Sequence, residues 1–158
     1  MQGKNDRGQL GIGSREARHS PVEVPTPWSP QHALVKIATG KAHTLFLLTN
    51  GDVWGCGAAS CGQLGLGAGK RALEDCLAPV HLSSLTDIRD ISCGAEFSVV
   101  CTRSRGQVLT FGHPEVGGSV AVARYCRMCR RHVPVCTLTT QSALLWCVFS
   151  LIIIIIGD

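Results

Sequence analysis

The chain has 158 residues and a formal net charge of +4, from 15 Lys or Arg and 11 Asp or Glu. This length suits one ordinary domain. The charge is uneven, because residues 1–117 carry 11 basic and 10 acidic side chains, whereas residues 118–158 carry four Arg and one Asp. A surface that follows nucleic-acid phosphates needs a clustered excess of Lys and Arg. The composition therefore argues against direct nucleic-acid binding by the first 117 residues.

Secretion is also disfavoured by the sequence. Residues 1–13 are polar and rich in glycine, unlike the apolar segment of a secretory signal peptide. The five cysteines in the first 117 residues follow no recurring spacing, which favours packing side chains in a reducing compartment over a disulfide framework. They are Cys56, Cys61, Cys76, Cys93 and Cys101.

A long internal repeat organises the first part of the chain. The phrase Gly-Gln-Leu-Gly-aliphatic-Gly occurs at residues 8–13 and again at 62–67, an offset of 54 residues. Other residues keep the same offset, and Ile37 recurs as Ile91. The regular offset indicates two copies of one structural unit.

This repeat also sets the predicted domain organisation. A third copy opens at 112–117 and then breaks, because the next residues do not read Gln-Leu-Gly. We predict a repeat region, residues 1–117, with units at about 3–56 and 57–111, and a non-repeat tail, residues 118–158. The recurring glycines are expected to serve turns with positive φ and close approaches between strands; they are Gly3, Gly8, Gly11, Gly13, Gly40, Gly57, Gly62, Gly65, Gly67, Gly94, Gly112 and Gly117.

Each unit is predicted to contain short strands joined by tight turns. Asn50-Gly51 favours a type I′ hairpin turn, in which both central residues have positive φ. A second turn is expected through Gly106. Sustained 3.6-residue apolar spacing is missing from the repeat region, so we expect little helix there. The predicted strands are 34–38, 44–48, one opening at 53–54, 88–92, 98–102 and 108–111.

Repeats of about 50 residues built from short strands and glycine turns are typical of β-propeller blades. Gly57 and Gly62, followed at once by Gln-Leu-Gly, give a pattern that resembles the regulator of chromosome condensation repeat. The resemblance covers residues 3–117, and the phrases at 93–98 and 111–115 are closer still to one member of that family. It implies a seven-bladed ring. We therefore expect an all-β propeller fragment of about two blades with a hydrophobic C-terminal tail.

An incomplete propeller has an expected physical consequence. Blades are stabilised by packing on both neighbours, and repeat arrays generally need at least about three units. Two blades would leave two bare faces, which are sites for aggregation or for docking on another chain. The chain is therefore expected to need other blades or a host chain.

The tail combines a basic, cysteine-rich segment with an apolar end. Residues 143–156 are almost wholly apolar but fall short of the roughly 20 residues needed to cross a bilayer as a helix. The charge-free span extends back to residue 133. One interpretation is a membrane anchor through residues 133–156, with the Arg cluster at 124–131 on the cytoplasmic side. The other is a splice or read-through segment, beginning at Gly118, that was never selected for function.

Metal, cofactor and enzyme sites have little support in the sequence. The only metal candidate is a weak zinc site, because its ligands are spaced too tightly to converge easily on one ion. The glycine phrases lack the Gly-Lys-Ser/Thr order of a phosphate loop, so no cofactor is expected. His43 is interpreted as a packing residue, since its counterpart in the second unit is Phe97. The zinc candidate consists of Cys126, Cys129, His132 and Cys136.

Two hypotheses for function follow. The family resemblance implies a nuclear or cytoplasmic, non-enzymatic interaction module that engages small GTPases of the Ran or Rac type, chromatin or microtubules, in some members promoting guanine-nucleotide exchange. Exchange would need a surface gathered from several blades, so we expect no competent exchange activity and assign no partner-binding residues. The alternative is a tail-anchored membrane protein whose two blades form a cytoplasmic docking surface.

Overall fold

The computed structural model describes residues 1–66, 74–104 and 106–112, and the backbone of a strand at 121–124. Its strands form two four-stranded antiparallel sheets, each in simple sequence order. The described residues contain no helix, which confirms the all-β prediction. The first sheet contains β1 (Leu34–Thr39), β2 (His43–Leu48), β3 (Val53–Gly57) and β4 (Cys76–His81); the second contains β5 (Ile88–Cys93), β6 (Phe97–Thr102), β7 (Gln107–Gly112) and β8 (Ala121–Arg124).

The two outermost strands, β4 and β8, were not predicted. β4 contains Pro79, which cannot donate a ladder hydrogen bond and therefore weakens the sequence signal of a strand, although proline is tolerated at a sheet edge. β8 pairs with β7 and lies beyond residue 117, where the predicted repeat region ends. The domain boundary at that residue stays a prediction.

The turn between β2 and β3 differs from the predicted type I′ turn. The Gly51 N–H donates to the Leu48 carbonyl oxygen at 3.0 Å, which makes Thr49 and Asn50 the central residues. Gly51 has φ 86°, but the one non-glycine residue with positive φ in the described parts of the chain is Asp87. The loop is therefore a tight turn followed by a left-handed glycine, the pattern of a three-residue hairpin with a bulge.

One apolar core lies between the two sheets. Leu45 and Leu47 of β2 alternate with residues that face away, as expected for a strand with period two. The Gly-Gln-Leu-Gly loop of the second unit inserts Leu64 into the same core. Neither sheet therefore has a core of its own. The buried members are Ala38, Leu45, Leu47, Val53, Ala59, Leu64, Leu82, Leu85, Ile88, Ile91, Val100 and Phe111.

The N-terminal segment contains an antiparallel bridge that resembles the pairing of β3 with β4 in a different register. The Gly3 N–H donates to the Arg18 carbonyl oxygen at 2.7 Å, and the Arg18 N–H returns a bond to Gly3 at 3.0 Å. Gly57 pairs with Cys76 in the same antiparallel sense in the first sheet. Gly3 stands one repeat before Gly57, but Arg18 stands one repeat before residue 72. The first residues thus form an antiparallel pair like that of β3 with β4, shifted in register.

Candidate functional site at the interface of the two sheets

His43 forms the central polar contact between the sheets. It begins β2, is fully buried, and its Nε2 lies 2.9 Å from Ser98 Oγ of β6. Ser98 Oγ in turn donates to the Gln63 carbonyl oxygen at 2.8 Å. Because a hydroxyl has one proton, Ser98 must accept from His43, which fixes neutral His43 with its proton on Nε2. The Gly-Gln-Leu-Gly loop is thereby tied to both sheets.

Burial keeps His43 uncharged. Desolvation lowers the pKa of its imidazole from 6.5 to about 4, because a charged ring in an apolar site would lose its hydration. His43 Nδ1 is buried without a hydrogen-bond partner among the described residues. The ring is closed off from solvent, so its geometry suits the packing role inferred from the sequence.

The first unit contains the same loop contact without the histidine. Thr44 stands one repeat before Ser98, and its Oγ1 donates to the Gln9 carbonyl oxygen at 2.8 Å. A cavity of about 260 Å³ lies beside Thr44, whereas Ser98 has the His43 imidazole as its neighbour. The two units thus share the contact of a hydroxyl with the loop carbonyl and differ in what lies beside the hydroxyl. The cavity is lined by Met1, Gln2, Lys4, Gln9, Leu10, Thr39, Gly40, Lys41 and Thr44.

Two ion pairs also link the sheets. Lys36 Nζ lies 2.6 Å from Asp90 Oδ1, and Lys41 Nζ lies 3.3 Å from Glu96 Oε1. Both lysines are partly exposed, and exposed ion pairs typically contribute only about 0–1 kcal/mol. The exposed pair of Lys41 with Glu96 is therefore expected to add little to the stability of the interface.

The two buried cysteines, Cys56 and Cys101, have thiols of low reactivity. Burial raises the pKa of the Cys56 thiol to about 12, with a smaller contribution from nearby Cys76. Burial likewise raises the pKa of Cys101. A thiol is reactive as its thiolate, so these two buried cysteines are poor nucleophiles. This agrees with their interpretation as packing residues.

Close backbone approach requires glycine at several of the predicted positions. At Gly57 and Gly112, with φ of 98° and 136°, a Cβ would overlap the carbonyl oxygens of Ala42 and Glu96. Gly40 and Gly94 lack a left-handed φ, but a Cβ there would collide with the ring three residues later in the chain. The remaining predicted glycines with positive φ are Gly3, Gly8, Gly11, Gly13, Gly62 and Gly65, whereas Gly67 and Gly117 lie outside the described residues.

Sequence reasoning did not find the hydrogen bond of His43 with Ser98 or that of Ser98 with the Gln63 carbonyl oxygen. A signal was present, since a hydroxyl residue and a Gly-Gln-Leu-Gly loop recur together in both units. Sequence alone did not show that the hydroxyl and the loop carbonyl meet. The aromatic cluster beside β3 was also missed: the Trp28 ring centroid lies 5.7 Å from that of Phe46 and 5.8 Å from that of Trp54.

The candidate zinc ligands and the apolar segment 133–156 lie outside the described residues. Within the described ranges, no three His, Cys, Asp or Glu side chains are grouped to hold a metal ion. The same ranges contain no helix with the length and apolar character needed to span a membrane.

Comparison with models of protein families shows the family to which the chain belongs. The family model described as the regulator of chromosome condensation (RCC1) repeat matches residues 2–47 and 50–101, and a second model with the same description matches residues 34–63. The chain belongs to the RCC1 repeat family. The RCC1 match contains His43, Gln63 and Ser98, so the hydrogen bonds that link them lie within the family region.

Curated relatives share the repeat region. The human protein named "Probable E3 ubiquitin-protein ligase HERC3" is 38% identical over 122 residues, covering 73% of this chain and 11% of HERC3. The RCC2 homolog of Danio rerio is 35% identical over 116 residues, covering 73% of this chain and 22% of that protein. RCC2 is the telophase-disc protein, the family's second member, whose phrases resemble residues 93–98 and 111–115. The chain thus spans less than a quarter of either relative.

Solved structures show the fold. Human WBSCR16 matches with a TM-score of 0.61 and 21% identity over 77% of this chain and 31% of that one. Prp20p from Saccharomyces cerevisiae, described with its binding properties to Gsp1p and histones, matches with a TM-score of 0.54 and 22% identity over 77% of this chain and 30% of Prp20p. The chain is therefore a fragment of an RCC1-type β-propeller, as predicted.

Proposed function

We propose that the chain is a non-enzymatic interaction module that binds a small GTPase of the Ran or Rac type without promoting nucleotide exchange. The observation that carries the proposal is the fold, two adjacent RCC1-type sheets shared with Prp20p. The similarity to RCC2 over 73% of the chain gives further support. Nuclear or cytoplasmic localisation follows from the same proposal.

The polar groups of the sheet interface favour a binding role over a catalytic one. His43 and Ser98 are both fully buried and hydrogen-bonded within the fold. A general base must reach the proton that it abstracts from a substrate, and His43 cannot do so from this position. The buried thiol of Cys56 is kept protonated by its raised pKa.

An exchange factor works by binding the nucleotide-free GTPase more tightly than the loaded form. The preference requires contacts that change with the nucleotide state, gathered over a broad surface. Two sheets offer only part of the surface of a seven-bladed ring. The proposal is therefore binding with a preference for the nucleotide-free GTPase and little acceleration of nucleotide release.

The test is retention of the full chain on immobilised Ran and Rac, each prepared nucleotide-free and GTP-loaded. The proposal predicts retention on the nucleotide-free form of at least one of them and an unchanged rate of nucleotide release. Leu45→Asp is the control, because it places a charge in the shared core and should abolish retention through loss of the fold. Equal retention of both chains, or retention of neither, would contradict the proposal.

The tail-anchor hypothesis is a separate prediction based on residues 133–156. Alkaline extraction of membranes from cells that express the full chain tests it. Resistance to extraction, lost when Val148 and Ile153 are both replaced by Asp, would favour an anchor. Complete extraction of the unaltered chain would remove this alternative.

A further inference from the structure

The segment 20–30 contains three dipeptides in which a hydroxyl residue is followed by proline. They are Ser20-Pro21, Thr26-Pro27 and Ser29-Pro30, and all six residues are exposed. Proline disfavours the α conformation at the residue before it, so each hydroxyl residue has an extended backbone. A protein kinase binds the chain around its acceptor hydroxyl in an extended form, and proline-directed kinases also select proline at the next position. The segment therefore presents three candidate acceptors to this class of enzyme.

Ser29 is the candidate whose exposure is supported by the repeat. It lies in the loop before β1, and Ser83, one repeat later, lies in the loop between β4 and β5. Ser83 is also exposed, although its loop connects two packed sheets. Exposure at this position is therefore a property of the loop in both units.

The other two hydroxyl residues are in less favourable places. Thr26 stands one repeat before Val80, which is half-buried within β4. Ser20 is followed by a backbone pairing, because the Val22 N–H donates to the Met1 carbonyl oxygen at 2.9 Å and the Met1 amino group donates back to Val22. A kinase would have to separate these two segments to bind the chain around Ser20.

The loop at Ser29 can extend with little loss of structure. The His32 N–H donates to the Ser29 carbonyl oxygen at 3.0 Å, which closes a β-turn with Pro30 at its second position. Proline is favoured there, and it has no N–H to lose when the turn opens. The Gln31 N–H donates to Ser29 Oγ over a long distance of 3.4 Å. Exposed turns of this kind open locally while the packed strands beside them stay folded.

We propose that Ser29 is a phosphorylation site for a proline-directed serine/threonine kinase. Ser29 Oγ attacks the γ-phosphorus of ATP, the new O–P bond forms as the bond from that phosphorus to the β,γ-bridging oxygen breaks, and ADP leaves with the bonding electron pair. The hydroxyl proton passes to the catalytic aspartate of the kinase. The phosphate brings a charge of about −1.5 to −2 beside the Gln31 N–H, which donates more strongly to an ionised oxygen. The site does not depend on the GTPase proposal.

The test incubates the full chain with ATP and, in separate reactions, a purified cyclin-dependent kinase and a purified mitogen-activated protein kinase. Mass spectrometry then identifies the modified residues and their rates of modification. We expect phosphate on Ser29 with at least one of the two kinases. Pro30→Ser, which copies the second unit, should slow modification of Ser29 by about tenfold or more, because the kinase pocket for proline is left unfilled.

The second unit provides a matched control in the same chain. Ser83 is exposed like Ser29, but it is followed by Ser84 and should take no phosphate. Ser84→Pro gives this loop the same dipeptide and should make Ser83 an acceptor. Pro30 shows that proline fits at this loop position, and the change removes one exposed hydrogen bond, from Ser84 Oγ to the Gly65 carbonyl oxygen.

Three results would overturn the inference. The first is that neither kinase modifies Ser29 in the unaltered chain. The second is that Pro30→Ser leaves the rate of modification at Ser29 unchanged. The third is that Ser83 takes phosphate as readily in the unaltered chain as in Ser84→Pro, since proline would then have no part in selecting the loop.

Discussion

The two faces of the first sheet are built from the same strands but differ in what covers them. Towards the second sheet, Leu45 and Leu47 are buried in the common core. On the opposite side, Leu34 and Ile37 of β1 remain exposed, although their cross-strand partners Leu48 and Phe46 are buried. The difference arises from the neighbour and not from the strand. This is the expected behaviour of a repeat fold, in which interfaces between units supply much of the stability.

The largest expected effect is a difference in the free energy of unfolding between substitutions at Ile91 and at Ile37, which are equivalent positions in the two units. Ile91→Ala removes a fully buried side chain and should lower the free energy of unfolding by about 2–5 kcal/mol. Ile37→Ala, at the same repeat position, should change it by less than about 0.5 kcal/mol, because Ile37 is exposed. Denaturant unfolding of both variants measures the contrast. Similar losses for the two would show that Ile37 is covered as fully as Ile91.

Acid should weaken the covered interface through His43. Its pKa is about 4 in the folded chain and about 6.5 when unfolded. Above pH 6.5 the imidazole is neutral in both states. As the pH falls from 6.5 to 4 the unfolded chain gains a proton that the folded chain does not, so up to about 3 kcal/mol of stability is lost, with no further change from this group below pH 4.

Unfolding titrations between pH 4 and pH 7 measure this dependence. His43→Phe, which copies the residue of the second unit, provides the control because it cannot titrate. Its stability should fall less steeply over the same range. Parallel pH profiles for the two chains would mean that His43 is not buried at the interface.

A smaller difference in stability is expected between substitutions of two glycines, Gly57 with close neighbours and Gly13 without them. Gly57→Ala forces an alanine into a left-handed φ and against the Ala42 carbonyl oxygen, so strain of about 1–3 kcal/mol is increased by steric overlap. Gly13→Ala has comparable φ strain but no atom within 4 Å of the new Cβ. Thermal unfolding should therefore show a larger loss for Gly57→Ala. An equal loss would remove the close-approach argument.

Much of the fold could be predicted because the repeat and the apolar alternation are local properties. Both identify β2 and β6 from adjacent residues. Pro79 concealed β4, since its compatibility with a strand depends on an edge position that only the assembled sheet defines. The predicted type of the Asn50-Gly51 turn was wrong. The turn type depends on the strand register, and that register is set by pairing across the hairpin.

The interface contacts could be predicted only in part. The sequence correctly indicated that His43 has a packing role, but its partner Ser98 is 55 residues away in the chain. A contact over that separation depends on how the two sheets pack. The cavity beside Thr44 likewise required coordinates.

Amide hydrogen exchange of the full chain tests most directly whether the two sheets form one structural unit. The shared core predicts strong protection of both β2 and β6, and a joint loss of that protection in Ile91→Ala. Rapid exchange throughout the unaltered chain, or protection of one of the two strands alone, would contradict the account.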